Sequence, residues 1–168
     1  MKIECTINRT AHTLNVNSNK PLNMILSEDI GSQIRVSQCD GRLCGNCVVL
    51  LNQQAVLSCL IPAFLIKNKE ILTFEGFRKT RFFNDIERAY NDTNIHPCSH
   101  CFESKTLILE ELLQQFFSQD KIDESTIGEE TIVREMRLNR CSCLEAHEII
   151  AIFNAAVSYR RKRRVRRY

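Results

Sequence analysis

Cys39-Asp-Gly-Arg-Leu-Cys44-Gly-Asn-Cys47, followed by Leu57-Ser-Cys59-Leu60, is the stretch on which the reading of this chain turns. Its spacing, C-x4-C-x2-C-x11-C, is the ligand pattern of a [2Fe–2S] centre of the plant type. Three thiolates come from one short loop and the fourth from an element further on. Such a loop folds around a cluster only if its backbone can turn tightly. Gly41 and Gly45 supply that freedom, because glycine reaches positive φ without a Cβ clash. They also let backbone N–H groups approach the sulfurs, where they stabilise the negative charge of a thiolate cluster and help set its potential. A structural zinc site is the competing reading, but zinc sites usually pair two short C-x2–4-C hooks. Cys5 alternates with Ile3 and Ile7 and is read as a small buried hydrophobe.

A second set follows. Cys98-x2-Cys101 and Cys141-x-Cys143 are separated by 39 residues. On spacing alone, two such hooks suit either zinc or [2Fe–2S]. His100 could stand in for a thiolate, as in a Rieske centre, while His96 and His147 are read as neighbours. Cys98 and Cys101 precede a predicted helix, whose N-terminus favours the negative charge of thiolates. Eight of the nine cysteines thus fall into two groups of four.

Around these sites the hydrophobic period changes once. Up to residue 76 it is mostly that of strands. Residues 2–8 and 12–17 alternate and predict a hairpin turning at Asn8–Ala11. Pro21 opens an amphipathic helical segment, Leu22–Ile30, which Gly31 ends. Residues 48–51 and 54–58 predict a second hairpin turning at Asn52-Gln53, and 70–74 a further strand. From residue 79 the period is helical. Four helices are expected: one marked by Phe82, Phe83, Ile86 and Tyr90, then Leu107–Phe117, Ile127–Leu138 and Leu144–Tyr159. Thr126-x-x-Glu129 offers the third a capping box, after a loop over 119–125. The expectation is an α+β chain: a ferredoxin-like unit at 1–76, a helical unit at 79–159 with its own core, and a basic tail at 160–168.

The bulk numbers fit this. Hydrophobic residues make up 43% of 168, enough for folded cores. No run approaches the ~18 apolar residues of a membrane span, and the polar N-terminus lacks a secretory pattern. The cytoplasm is therefore expected, where thiols stay reduced and clustered cysteines bind metal rather than pair. Seven of the last nine residues are Lys or Arg, whereas the other 159 hold 16 basic and 20 acidic side chains. The tail reads as a solvated end. With no aromatics interleaved, it gives little support to nucleic-acid binding.

The order of these motifs resembles the small iron–sulfur subunit of the xanthine dehydrogenase, aldehyde oxidoreductase and carbon monoxide dehydrogenase family of molybdenum hydroxylases. The likeness runs from residue 1 to about 157. Leu72-Thr-Phe-Glu-Gly76 is similar to the family's passage into its interdomain linker. The resemblance implies a β-grasp ferredoxin-like domain and an all-α four-helix domain. It implies one [2Fe–2S] cluster on Cys39, Cys44, Cys47 and Cys59 and a second on Cys98, Cys101, Cys141 and Cys143. It also implies two partners: a molybdopterin-binding large subunit, and an FAD-binding one. Electrons would enter at the helical-domain cluster and leave through the ferredoxin-like one, the chain itself being the non-catalytic component. Two departures stand out. The family's Gln-Cys-Gly-Phe-Cys-Thr-Pro-Gly is here Pro97-Cys-Ser-His-Cys-Phe-Glu-Ser104, and Cys-Arg-Cys-Thr-Gly-Tyr is Cys141-Ser-Cys-Leu-Glu-Ala146. The family's glutamine contacts the pterin; Pro97 offers neither amide side chain nor N–H. A free-standing two-cluster carrier or redox sensor is the alternative, and a zinc-held binding module a third.

Overall fold

In a computed structural model the chain is described over residues 1–32, 43–118 and 128–165. Five strands form one mixed sheet: β1 (Lys2–Ile7), β2 (Thr10–Asn15), β3 (Val48–Leu51), β4 (Gln54–Leu57) and β5 (Glu70–Leu72). Their spatial order is β2-β1-β5-β3-β4. β1 and β5 run parallel and every other neighbouring pair is antiparallel. Both hairpins close on two residues with positive φ, Asn8-Arg9 (51° and 70°) and Asn52-Gln53 (48° and 73°). Such turns match the right-handed twist of the strands. The first turn is tighter than the expected Asn8–Ala11, so β2 begins at Thr10.

Pro21 precedes α1 (Leu22–Met24), which continues into a π-helical turn over Ile25–Asp29. Leu22, Ile25 and Leu26 are fully buried, and Gly31 ends the segment with φ +71°. This helix covers one face of the sheet and shares a core with Ile3, Ile7, Val49, Ile66 and Ile71. A helix lying across a mixed sheet is the β-grasp arrangement the sequence implied.

The passage out of the sheet differs from expectation. β5 stops at Leu72, and Phe74–Phe77 is a short helix, α2, rather than strand. Asn8 explains the break: its Oδ1 accepts from Thr73 N at 3.0 Å and its Nδ2 donates to Thr73 Oγ1 at 3.0 Å. The turn of the first hairpin thus takes the place of a ladder partner.

Four longer helices follow: α3 (Arg81–Thr93), α4 (Phe102–Ser118), α5 (Glu129–Met136) and α6 (Ala146–Val165). Thr80 caps α3 through Phe83 N, and Asn94 ends it in the left-handed region. Gly128 is the N-cap of α5; the expected capping residue Thr126, and the loop at 119–125, lie outside the described residues.

Two expectations are corrected here. The core of the helical half is not built from helices alone. β3 is buried on both faces: Val49 points to the α1 side, whereas Val48 and Leu50 join Leu107, Leu112 and Phe153 in the helical core. A strand covered on both faces reads as a continuous apolar run, Val-Val-Leu-Leu, rather than an alternating one. Second, no solvated tail begins at residue 160, because α6 continues to Val165. Arg160 is 2% exposed. Its guanidinium meets Glu110 Oε2 at 2.5 Å and Asp85 Oδ2 at 3.3 Å. Arg163 binds Asp85 at 2.7 Å, and both arginines lie over the Phe82 ring. The acidic partners stand on α3 and α4, far away in sequence, so a run of like charge gave no sign of them.

Candidate metal centres

Three members of the first cysteine set are described; Cys39 and Gly41 lie outside the described residues. Cys44 is exposed, Cys47 buried and Cys59 half-buried. Cys47 leads directly into β3. Its carbonyl accepts from both Ser58 N (3.0 Å) and Ser58 Oγ (2.7 Å). Ser58 is fully buried, so this pair of bonds fixes the turn carrying Cys59 against the strand carrying Cys47. Gly45 takes φ +87°, the conformation its place in the loop demanded.

The second set is complete. The Sγ atoms of Cys98, Cys101, Cys141 and Cys143 all lie within 4.8 Å of one another. Cys98 and Cys101 are 3.2 Å apart, Cys101 and Cys143 3.1 Å, and Cys98 and Cys141 3.7 Å. Disulfide sulfurs would be about 2 Å apart, and none of the described cysteines is so bonded. Sulfurs at tetrahedral positions around one metal, with bonds of about 2.3 Å, would stand about 3.8 Å apart. The four thiols therefore fit a metal–thiolate site, and a sulfur-only tetrahedral set suits zinc or iron–sulfur. His100 is exposed and is not among them.

Local structure explains the convergence. Cys101 N and Phe102 N both donate to Cys98 O, at 3.0 Å each, turning the chain into α4. Cys101 is fully buried at that helix's start, where the macrodipole favours negative sulfur. Cys98 N donates to Cys143 Sγ at 3.4 Å. Shared hydrogen bonding between neighbouring sulfurs splits their acidities. The contact with Cys101 pulls the Cys98 thiol down to about 6, while burial pushes Cys101 well up. Metal ligation needs all four deprotonated, so loading releases protons and weakens in acid.

The sequence reading missed a residue between the two sites. Asn139, 1% exposed, donates Nδ2 to Gly45 O (3.0 Å) and Asn46 Oδ1 (2.8 Å) and accepts from Cys141 N (3.0 Å). Next to it, Arg140 N donates to Cys44 O at 3.1 Å. An asparagine two residues before a ligand is a local hint, since its side chain readily meets nearby backbone N–H groups; the partner 94 residues away was not legible.

A β-grasp sheet whose β3 also packs into a helical half, with helix termini that gather four thiols, fits a small metal–thiolate protein. Comparison with known proteins narrows it. No family model matches the chain. It is 28% identical over 142 residues to one of the subunits of nicotinate dehydrogenase from Pseudomonas putida, covering 84% of this chain and 85% of that protein. It is 34% identical over 99 residues to the xanthine dehydrogenase iron–sulfur-binding subunit of Escherichia coli O157:H7, covering 59% and 62%. Its fold matches quinoline 2-oxidoreductase from Pseudomonas putida 86 with a TM-score of 0.72 at 24% identity, over 96% of each chain. The chain is similar to iron–sulfur subunits of the xanthine dehydrogenase type, and its four-cysteine cluster together with these relatives supports an iron–sulfur cofactor. Among the described residues, no helix is long and apolar enough to cross a membrane.

Proposed function

We propose that this chain is the electron-transfer subunit of a xanthine dehydrogenase-like molybdenum hydroxylase. Cys39, Cys44, Cys47 and Cys59 hold one [2Fe–2S] cluster, and Cys98, Cys101, Cys141 and Cys143 the other. The observation that carries the reading is the convergence of four thiols from separate stretches of chain within 4.8 Å. When bound, the clusters supply reversible one-electron chemistry. The protein supplies thiolates, N–H donors and a fixed distance between the sites. The Cys44–Arg140 backbone bond supports a relay, because it joins a ligand of one site to the neighbour of a ligand in the other. A molybdopterin subunit would deliver electrons to the helical-half site, and an FAD subunit or an external acceptor would take them from the sheet-half site. We place the chain in the cytoplasm and assign it units at 1–76 and 79–159, joined through β3.

Pro97 favours a second reading. It is buried beside Cys98 and offers no amide to a pterin, as a free-standing carrier would allow. Co-purification with a large molybdopterin subunit decides between the two. Iron, sulfide and zinc counts test the common ground: two clusters of two irons give an expected four iron atoms per chain, or roughly that in a well-loaded preparation. Half that iron with one zinc would end the two-cluster assignment. In Cys101→Ser the iron count should fall by half, with the first site's reduced paramagnetic signal retained; loss of both signals would show that neither site forms alone.

A further inference from the structure

We propose that Asn139 is the positioning residue that fixes the two cysteine sites against each other, so that electron exchange between them depends on its carboxamide. The inference rests on the relay reading above. Its three hydrogen bonds assign the orientation of the amide. Cys141 N–H can only donate and Gly45 O can only accept, so Oδ1 faces the former and Nδ2 the latter. Both Nδ2 hydrogens are then used, one on Gly45 O and one on the Asn46 side chain.

The contact is close as well as bonded. A Cβ at Gly45 would lie 2.3 Å from Leu138 O and 2.4 Å from Asn139 Cα. The backbone around Cys44 and Gly45 therefore presses directly on the stretch that ends in Cys141. Arg140 N, donating to Cys44 O, adds a second tie on the same seam. A buried amide with its donors and acceptor engaged has one low-energy position, and shifting it would leave unpaired polar groups at both sites. Electron exchange between two centres depends steeply on their separation and on the bonded path. Asn139 holds both, although it ligates neither site.

A purely structural asparagine would alter stability alone, so the test reads the interaction between the sites. Asn139→Asp keeps an acceptor for Cys141 N–H and deletes the donor towards Gly45 O, and Asn139→Ala deletes both. In the fully reduced wild-type chain, the two paramagnetic signals should show splitting from their mutual magnetic interaction. The variants should retain the wild-type iron content and lose that splitting, and electron exchange between the sites should slow. Full iron content with wild-type splitting in both variants would overturn the proposal. Should neither variant hold its iron, Cys44→Ser supplies the measurement. Disturbing the first site should speed hydrogen exchange at the Arg140 and Cys141 amides, and wild-type protection there would overturn the proposal instead. Failure of the relay reading itself would be seen separately, as a wild-type chain without two reduced signals.

Discussion

The two cysteine sets are written into the chain in opposite ways. The first is written locally: three of its four cysteines and both of its glycines occupy nine residues, and the spacing alone named a cluster type. The second is two ordinary hooks that chain spacing could not tell from a zinc site. What makes it a site is topology, which brings the start of α4 to the joint between α5 and α6. A tight loop can specify its own ligand set, because its backbone geometry is fixed within a few residues. A site built from distant helix ends is specified by the core that packs those helices. The first site should therefore respond most to changes in its loop, and the second to changes in packing far from any sulfur.

The largest test of that contrast is Arg160→Ala. Arg160, Asp85, Glu110 and Arg163 tie α6 to α3 and α4, and the three inner members are 4% exposed or less at the side chain. Removing one partner strands buried charge, at a cost of about 3–5 kcal/mol. Thermal or denaturant unfolding should show that loss, and Arg160→Met should be milder, because it keeps an apolar stem over Phe82. Since Val48 and Leu50 belong to the helical core, both halves should melt in one transition. Two separated transitions would restore the picture of independent units and break the shared-strand account.

Gly45→Ala is next. The substitution asks an alanine to hold φ +87° with its Cβ 2.3 Å from a backbone oxygen. Backbone strain and overpacking together should cost about 2–4 kcal/mol. If the seam at Leu138–Arg140 joins the two sites, this first-loop change should also shift the signal of the second. Iron counting alongside paramagnetic resonance checks both: an altered first signal beside an unchanged second would separate the sites again.

How much of this the chain disclosed depended on distance along it. The first hairpin, the α1 segment and the backbone of Gly45 were legible because their determinants lie within a few residues: paired positive-φ turn positions, Pro21 before Leu22, a glycine between cysteines. The end of β5 was not, since Asn8 takes over the polar groups of Thr73 from 65 residues away. Nor was the role of the basic C-terminal run, whose acidic partners stand up to 78 residues distant. Val48–Leu51 was recognised as strand, but its burial on both faces follows only from what lands on each side.

The smallest expected effect falls on the joint between the halves. Glu111, on α4, accepts a hydrogen bond from the Ala55 backbone of β4, yet burial pushes its carboxyl above the usual carboxylate range, and Glu135 adds to the rise. A raised acid in the folded state means that folding favours the protonated form. That contribution is complete below the unfolded carboxyl's own value, about 4.3, and is lost as pH rises through the higher folded value. Glu111→Gln keeps the shape and removes the titration. The stability difference between wild type and variant should therefore move in the wild type's favour as pH falls from about 7 into the carboxylate range. Denaturant midpoints at several pH values would show it. A difference that moved the other way would mean that the Ala55 bond outweighs burial, and that the sheet holds α4 through a charge rather than through the apolar contacts of β3.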